Sequence, residues 1–118
     1  LDLQLLTAQT VKMELSEPDA ERLRGMPSVI YKGEEFWCYL LPPIEYPDGK
    51  TYLKLGGGSF KRPPVQRGGR TAALPGLPGK QLLTSHEEVV EWYRSAGDPQ
   101  ATEDMVEMLH TLVPGLTP

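Results

Sequence analysis

The sequence lacks several features that would assign a function directly. Cys38 is the only cysteine, which excludes an intrachain disulfide and a zinc site built from several thiolates, and which fits a reducing intracellular compartment. No apolar run approaches the roughly 20 residues that a membrane-spanning helix requires, so we expect no membrane partner. No G-x-G-x-x-G motif is present, so the chain carries no dinucleotide-binding fingerprint. No spacing of His, Asp or Glu suggests a metal site.

Acidic residues are missing from the middle of the chain. Between Gly49 and His86 the sequence has seven Lys or Arg residues and no Asp or Glu, although the whole chain has 16 acidic residues and a net charge of −4. This net charge argues against a dedicated nucleic-acid-binding protein. A basic segment therefore lies between two acidic parts of the chain.

What the sequence does have is 12 glycines and 12 prolines in 118 residues, a length typical of one domain. This composition excludes an all-helical bundle and predicts many turns or one long loop. We expect a single unit, 1–118, with three parts: a strand and hairpin region (9–56), a basic Pro/Gly-rich loop (57–82) and a helix pair (84–113).

Alternation of polar and apolar residues, or β-rich composition between turn signals, predicts four strands at 10–15, 27–32, 35–41 and 51–55. The turn Tyr46–Lys50 predicts that 35–55 forms an antiparallel hairpin. Pro42 and Pro43 are expected to end the third strand, and Gly56–Gly58 to break the fourth.

Helix signals place a short helix at Pro18–Arg24, a second helix after a cap at Thr84 or Ser85, and a third after Asp98. The second helix is expected to bury Val89, Val90, Trp92, Tyr93 and Ala96. The third is expected to bury one face formed by Ala101, Met105, Met108, Leu109 and Leu112. The predicted class is α+β, an antiparallel β-sheet with flanking helices.

Two residues in the strands could carry chemistry. Cys38 has no motif that links it to a histidine base, and a strand cysteine among large apolar residues is typically a small buried hydrophobic side chain. Lys54 shares a strand face with Tyr52, opposite Leu53 and Leu55. The local pattern alone favours a lysine that extends to solvent from an edge strand over one that points into a pocket.

The basic loop permits a different kind of function. Leu74–Pro78 has the P-x-x-P spacing of a polyproline ligand, and Arg67–Arg70 contains one isolated RGG. The alternative hypothesis is therefore a free-standing α+β protein-interaction module that binds its partner through the basic Pro-rich loop 59–80.

Several short motifs, in the same order along the chain, resemble the substrate domain of FAD-dependent amine oxidoreductases, the sarcosine oxidase and D-amino-acid oxidase superfamily. They are Gly25–Tyr31, Cys38–Ile44, Tyr46–Gly49 and Tyr52–Phe60, and the helix pair ending at Leu112–Leu116 is also similar. The resemblance implies an antiparallel sheet that covers the flavin and forms the far wall of the substrate pocket.

The resemblance also implies roles for single residues. Lys54 matches the lysine that faces the flavin and promotes the reaction of reduced flavin with oxygen, so it is the expected catalytic and cofactor-contacting residue. Tyr39 matches a pocket tyrosine, and we expect Tyr39 and Tyr52 to bind the substrate. The sequence departs from the family at Gly57 and Gly58, where relatives carry an aromatic residue and a histidine.

The chain therefore resembles one part of an enzyme that oxidises a C–N bond of an amino acid or secondary amine. It starts at Leu1 and has no dinucleotide fingerprint, so we expect a substrate-domain fragment of a larger protein. Its expected partners are the FAD-binding domain of the same parent chain and a small amine or amino-acid substrate. The fragment alone is expected to be inactive and to hold no FAD.

Overall fold

The structure is a computed structural model that describes residues 5–59 and 82–116. The elements are β1 (Leu5–Leu6), β2 (Thr10–Glu14), α1 (Glu17–Arg22), β3 (Val29–Lys32), β4 (Phe36–Glu45), β5 (Thr51–Ser59), β6 (Leu82–Leu83), α2 (His86–Arg94) and α3 (Pro99–Leu112). An antiparallel sheet has the strand order β2-β5-β4-β3, and β1 pairs antiparallel with β6. The predicted α+β class is confirmed.

The β4–β5 hairpin is closed by the predicted turn. The backbone N–H of Tyr46 donates to the carbonyl of Lys50 at 2.9 Å, and the N–H of Gly49 donates to the carbonyl of Tyr46 at 2.9 Å. Gly49 has φ +79°, a conformation that glycine adopts without the steric cost of a Cβ. The hairpin prediction for residues 35–55 is confirmed, because this turn chemistry is encoded locally.

The glycine run does not break β5. The strand continues to Ser59, and Gly56, Gly57 and Gly58 pair with Tyr39, Cys38 and Trp37 of β4. The prediction of a break was wrong because the cross-strand ladder outweighs the weak strand propensity of glycine. The segment predicted as the loop 57–82 therefore begins inside β5 and ends at Leu82 in β6.

The proline pair does not end β4 either. The strand runs to Glu45, and its register against β5 shifts between Leu41 and Ile44, the interval that contains Pro42 and Pro43. The ladder is interrupted at this irregularity, so residues without an N–H donor fit there at little cost. The prediction that the strand ends at Leu41 was wrong for this reason.

The sheet separates its side chains into two faces, and one face forms the core. Residues directly opposite each other on neighbouring strands share a face. Leu40, Leu53 and Leu55 lie on the core face, with exposed fractions of 2% or less. α3 packs against β5 and β2 and contributes Met105, Met108 and Leu109 to this core, as its spacing predicts. Cys38 is fully buried on the same face, which confirms its prediction as a small hydrophobic side chain.

The second predicted helix differs from expectation. The hydroxyl of Ser85 caps α2 by accepting the N–H of Glu88 at 3.2 Å, which settles the choice between Thr84 and Ser85. However, α2 has no fully buried residue, and Tyr93 is 83% exposed. Val89, Val90 and Trp92 are half-buried, and the predicted burial was wrong for Tyr93 and Ala96, which are exposed. An amphipathic pattern specifies an apolar side but not a partner, and within the described residues α3 fills the core.

The core assignment predicts a large loss of stability for Leu53→Ala. Leu53 is fully buried between the sheet and α3, so we expect the free energy of unfolding to fall by about 2–5 kcal/mol. Urea unfolding of this chain measures the loss. The control Ile30→Ala removes a side chain that is 76% exposed and should change stability by about 0.5 kcal/mol or less. Equal losses for the two variants would contradict the assignment.

Candidate functional site

The face of the four-stranded sheet opposite the core, which we call the open face, carries the candidate site. Its residues alternate with the core positions along each strand, and none of them belongs to the hydrophobic core of the described residues. The core contributions of α1 and α3 lie on the other side of the sheet. The open face comprises Thr10, Lys12, Glu14, Ile30, Lys32, Trp37, Tyr39, Leu41, Ile44, Tyr52, Lys54, Gly56 and Gly58.

Lys54 lies in the middle of the open face. Its strand, β5, is flanked by β2 and β4, so Lys54 is opposite Lys12 on one side and Leu41 on the other. The edge position favoured by the local pattern was wrong, because alternation reports the face of a strand and not its place in the sheet. Lys54 is half-buried, and no carboxylate of residues 5–59 or 82–116 forms an ion pair with it.

Tyr39 borders the same part of the open face. It pairs with Gly56, which follows Lys54 by two positions on the same face of β5. The outer end of the Tyr39 ring lies over Gly56, and the side chain remains 36% exposed. Its hydroxyl has no hydrogen-bond partner within the described part of the chain. The structure thus brings the predicted residues Tyr39 and Lys54 to neighbouring positions.

Tyr52 also lies on the open face, as alternation predicts, but its hydroxyl is engaged. It donates to the Asp48 carboxylate at 2.7 Å, and its ring meets the Tyr46 ring edge-to-face at 5.2 Å. The Lys12 ammonium lies 4.2 Å from the Tyr46 ring centre and 4.3 Å from that of Tyr52. We call these four residues, Lys12, Tyr46, Asp48 and Tyr52, the tyrosine cluster.

The tyrosine cluster stabilises the positive charge of Lys12. Two lysines directly opposite on neighbouring strands repel each other, and the two tyrosine ring faces attract the Lys12 ammonium. Glu14, the acid next to Lys12 on the open face, forms an ion pair with Lys50 at 2.9 Å. The nearby acids Glu14 and Asp48 thus have other partners, and the charge of Lys54 is not neutralised by them.

Hydrogen bonds within the cluster and beside it shift the pKa values of three groups. The Tyr52 hydroxyl, followed by the backbone N–H of Lys50, lowers the pKa of Asp48 below its usual range. The same hydrogen bond raises the pKa of Tyr52, and the bond to Glu14 raises the pKa of Lys50. For all three groups the largest cause of the shift is a side-chain hydrogen bond, so these shifts mainly describe local pairing.

Sequence reasoning did not identify Lys12 or Tyr46 as parts of a site. The turn around Asp48 and the polar position of Lys12 are both visible in the sequence. Their meeting depends on the β2–β5 register, which pairs Lys12 with Lys54 and Glu14 with Tyr52. No local signal encodes that pairing.

The remaining features that could indicate a function are Cys38, a metal site, a membrane-spanning helix and the loop motifs. Burial raises the pKa of the Cys38 thiol, which keeps it protonated and unreactive. Within residues 5–59 and 82–116, no group of three His, Cys, Asp or Glu side chains could hold a metal ion, and no helix is long and apolar enough to cross a membrane. The P-x-x-P and RGG motifs of the alternative interaction module lie outside the described residues.

An open groove of about 810 Å³ lies near α1 and the hairpin turn. The two cations that line it already have partners, Arg24 with Glu21 at 2.6 Å and Lys50 with Glu14 at 2.9 Å. Neither Lys54 nor Tyr39 lines this groove. It is therefore separate from the candidate site on the open face.

Comparisons of the chain with protein-family models, with curated proteins and with solved structures found no significant match. The resemblance to FAD-dependent amine oxidoreductases therefore stays a prediction from the sequence.

The tyrosine cluster predicts how the stability of the protein depends on pH. Because folding lowers the pKa of Asp48, its carboxylate stabilises the fold fully above its unfolded pKa of about 3.9. That contribution is lost as the pH falls through the lowered folded pKa. Asp48→Asn should therefore reduce the Tm modestly at neutral pH and have progressively less effect in acid.

Circular dichroism melts of both proteins across the acid range measure this difference. The control Glu34→Gln changes one exposed carboxylate outside the cluster and should leave the Tm almost unchanged at every pH. A Tm difference for Asp48→Asn that stays constant into strong acid would show that the charge of Asp48 does not stabilise the fold.

Proposed function

We propose that this chain is the substrate-facing domain of a FAD-dependent oxidoreductase that oxidises a C–N bond of an amino acid or secondary amine. The observation that carries the proposal is Lys54, a half-buried cation in a central strand with no acidic partner among the described residues. The sequence motifs around Lys54 and Tyr39 support the same function, because they resemble the substrate domain of that superfamily.

A cation without an acidic partner offers a ligand an unpaired charge. Lys54 is half-buried in the middle of the open face, and no acidic residue among the described residues forms an ion pair with it. An electron-rich or anionic group placed on the open face would therefore be attracted to Lys54. Lys54 would in turn stabilise negative charge that develops next to it during a reaction.

The open face would contact one side of a flavin. Trp37 and Tyr39 would supply aromatic surface, Gly58 has no side chain to obstruct a flat ring system, and Lys54 would supply the charge. When bound, the flavin would supply the two-electron oxidation of the C–N bond. The sequence has no dinucleotide fingerprint, so the FAD-binding domain of the same parent chain is the proposed partner that would hold the cofactor.

The two tyrosines would contribute differently. The Tyr39 hydroxyl has no partner among the described residues, so it is available to donate a hydrogen bond to a substrate. The Tyr52 hydroxyl is committed to Asp48, and its ring contacts Lys12 and Tyr46. Tyr52 would therefore contact a substrate through the part of its ring that these neighbours leave open. A small amine or amino acid would lie between this wall and the flavin.

Lys54→Met in the full-length protein tests the role of Lys54. Methionine keeps the length and removes the charge, so reoxidation of the reduced flavin by oxygen should slow by roughly 100-fold, the size of effect typical for one electrostatic stabiliser. Reduction of the flavin by the substrate should change little. Stopped-flow absorbance of the flavin measures both half-reactions separately.

Lys32→Met is the matched control for that experiment. Lys32 lies on the same open face but in the edge strand β3 and is exposed, so its loss should leave both half-reactions unchanged. If Lys54→Met reoxidises at the rate of the parent protein, Lys54 has no part in the oxygen reaction. A full-length protein that contains no flavin would refute the proposed function.

The 118-residue chain alone should not retain FAD. The open face offers contacts to one side of a flavin, and the sequence offers no phosphate-binding loop, so we expect neither tight binding nor a yellow protein. Equilibrium dialysis of the purified chain against FAD measures this, with riboflavin as the control that lacks the adenylate. Stoichiometric retention of FAD would contradict the assignment of the chain to the substrate side.

A further inference from the structure

The ring of Tyr39 occupies the space that a side chain at Gly56 would need. A Cβ at this position would lie 2.6 Å from both Cζ and the hydroxyl oxygen of Tyr39. Such distances are too short for any real contact. The ring of Tyr39 can therefore occupy its place over the strand only because residue 56 is glycine.

At the neighbouring Gly57, a side chain would collide with the backbone of β4 and not with a ring. A Cβ there would collide with the backbone carbonyl oxygen of Trp37 and with the backbone and Cβ of Cys38, so the strand itself would have to move. At Gly56 the obstacle is the outer end of one flexible side chain. Gly56 thus controls where a tyrosine ring lies, whereas Gly57 controls how closely two strands approach.

We propose that Gly56 is a positioning residue that determines substrate specificity by fixing the place of Tyr39. With no side chain at residue 56, the phenol has room to lie over β5, with its hydroxyl next to the backbone of Gly56. This inference rests on the proposed function for the identity of the ligand, an amine oxidised next to Lys54. The positioning of Tyr39 rests on geometry alone.

The position of the ring matters because of what lies next to it. Lys54 precedes Gly56 by two residues on the same face, so the Tyr39 hydroxyl and the Lys54 ammonium border one patch of the open face. Neither group has an ion-pair or hydrogen-bond partner among the described residues. A methyl group at residue 56 would push the ring outward and reduce the space for a ligand above the patch.

The chain contains a second glycine–tyrosine pair that serves as a matched control. A Cβ at Gly33 would lie 2.7 Å from the hydroxyl oxygen of Tyr31, the same type of close approach. Tyr31 pairs with the buried Cys38 and contacts Phe36 at 4.9 Å, which places it on the opposite face of the sheet. Gly33→Ala therefore displaces a tyrosine ring without altering the open face.

The first experiment uses NMR on the 118-residue chain and needs no cofactor. A ring lying over Gly56 should shift one Hα of that glycine upfield, and Tyr39→Leu should abolish the shift. Gly56→Ala should change the ring resonances of Tyr39 and leave those of Tyr31 in place, and Gly33→Ala should do the reverse. Gly56 Hα shifts that are unaffected by Tyr39→Leu would overturn the proposed position of the ring.

The second experiment measures specificity in the full-length protein. For two amine substrates that differ in the size of the nitrogen substituent, Gly56→Ala should lower kcat/KM of the larger one by about 10-fold or more relative to the smaller one. The loss should come mainly through KM, and flavin reoxidation, which is assigned to Lys54, should not change. An unchanged ratio, or an equal change in Gly33→Ala, would overturn the specificity role.

The two experiments separate the failure of this inference from failure of the proposed function. If the full-length protein oxidises amines but Gly56→Ala leaves the substrate ratio unchanged, only the specificity role is refuted. If it oxidises no amine, the proposed function and the specificity role both fail. In that case the NMR experiment still decides whether Gly56 positions Tyr39.

Discussion

The pairing of Gly56–Gly58 with Trp37–Tyr39 is the interaction on which the rest of the structure depends. It extends β5 to nine residues and gives β4 a partner along its aromatic half. With β2 on its other side, β5 is a central strand. α3 packs against the leucines of β5, Leu53 and Leu55. Without this pairing β5 would end at Gly56, the last of its residues that pairs with β2, and Trp37 and Tyr39 would lose their neighbours in β5.

The same alternation that builds the core also creates the candidate site. Along β5, Leu53 and Leu55 face α3, so Lys54 must face the other way. Lys12 arrives at the same face through the β2 register, and the ring faces of Tyr46 and Tyr52 attract its charge. Lys54 is left with the middle of the face, which makes it the group that a ligand would meet.

The parts of the fold that could be predicted are those encoded within a few residues. The turn at Tyr46–Lys50, the caps of the helices and the buried face of α3 follow from local chemistry, and the structure confirms them. The continuation of β4 through its prolines and of β5 through its glycines depends on partners distant in sequence. Strand order does too, so the central place of Lys54 was inaccessible to pattern reasoning.

The open face is a better candidate site than the groove near α1, because on the open face the chain departs from ordinary sheet chemistry. Glycine weakens a strand, and a half-buried lysine without an acidic partner is uncommon in the middle of a sheet, yet Gly56 and Lys54 lie two residues apart on one face. Sequences that specify a fold avoid such choices except where function requires them. The groove near α1 shows no comparable conflict, because both of its cations are paired at exposed positions. These two adjacent exceptions on an otherwise well-packed sheet favour a ligand that contacts Lys54 and the Tyr39 ring that lies over Gly56.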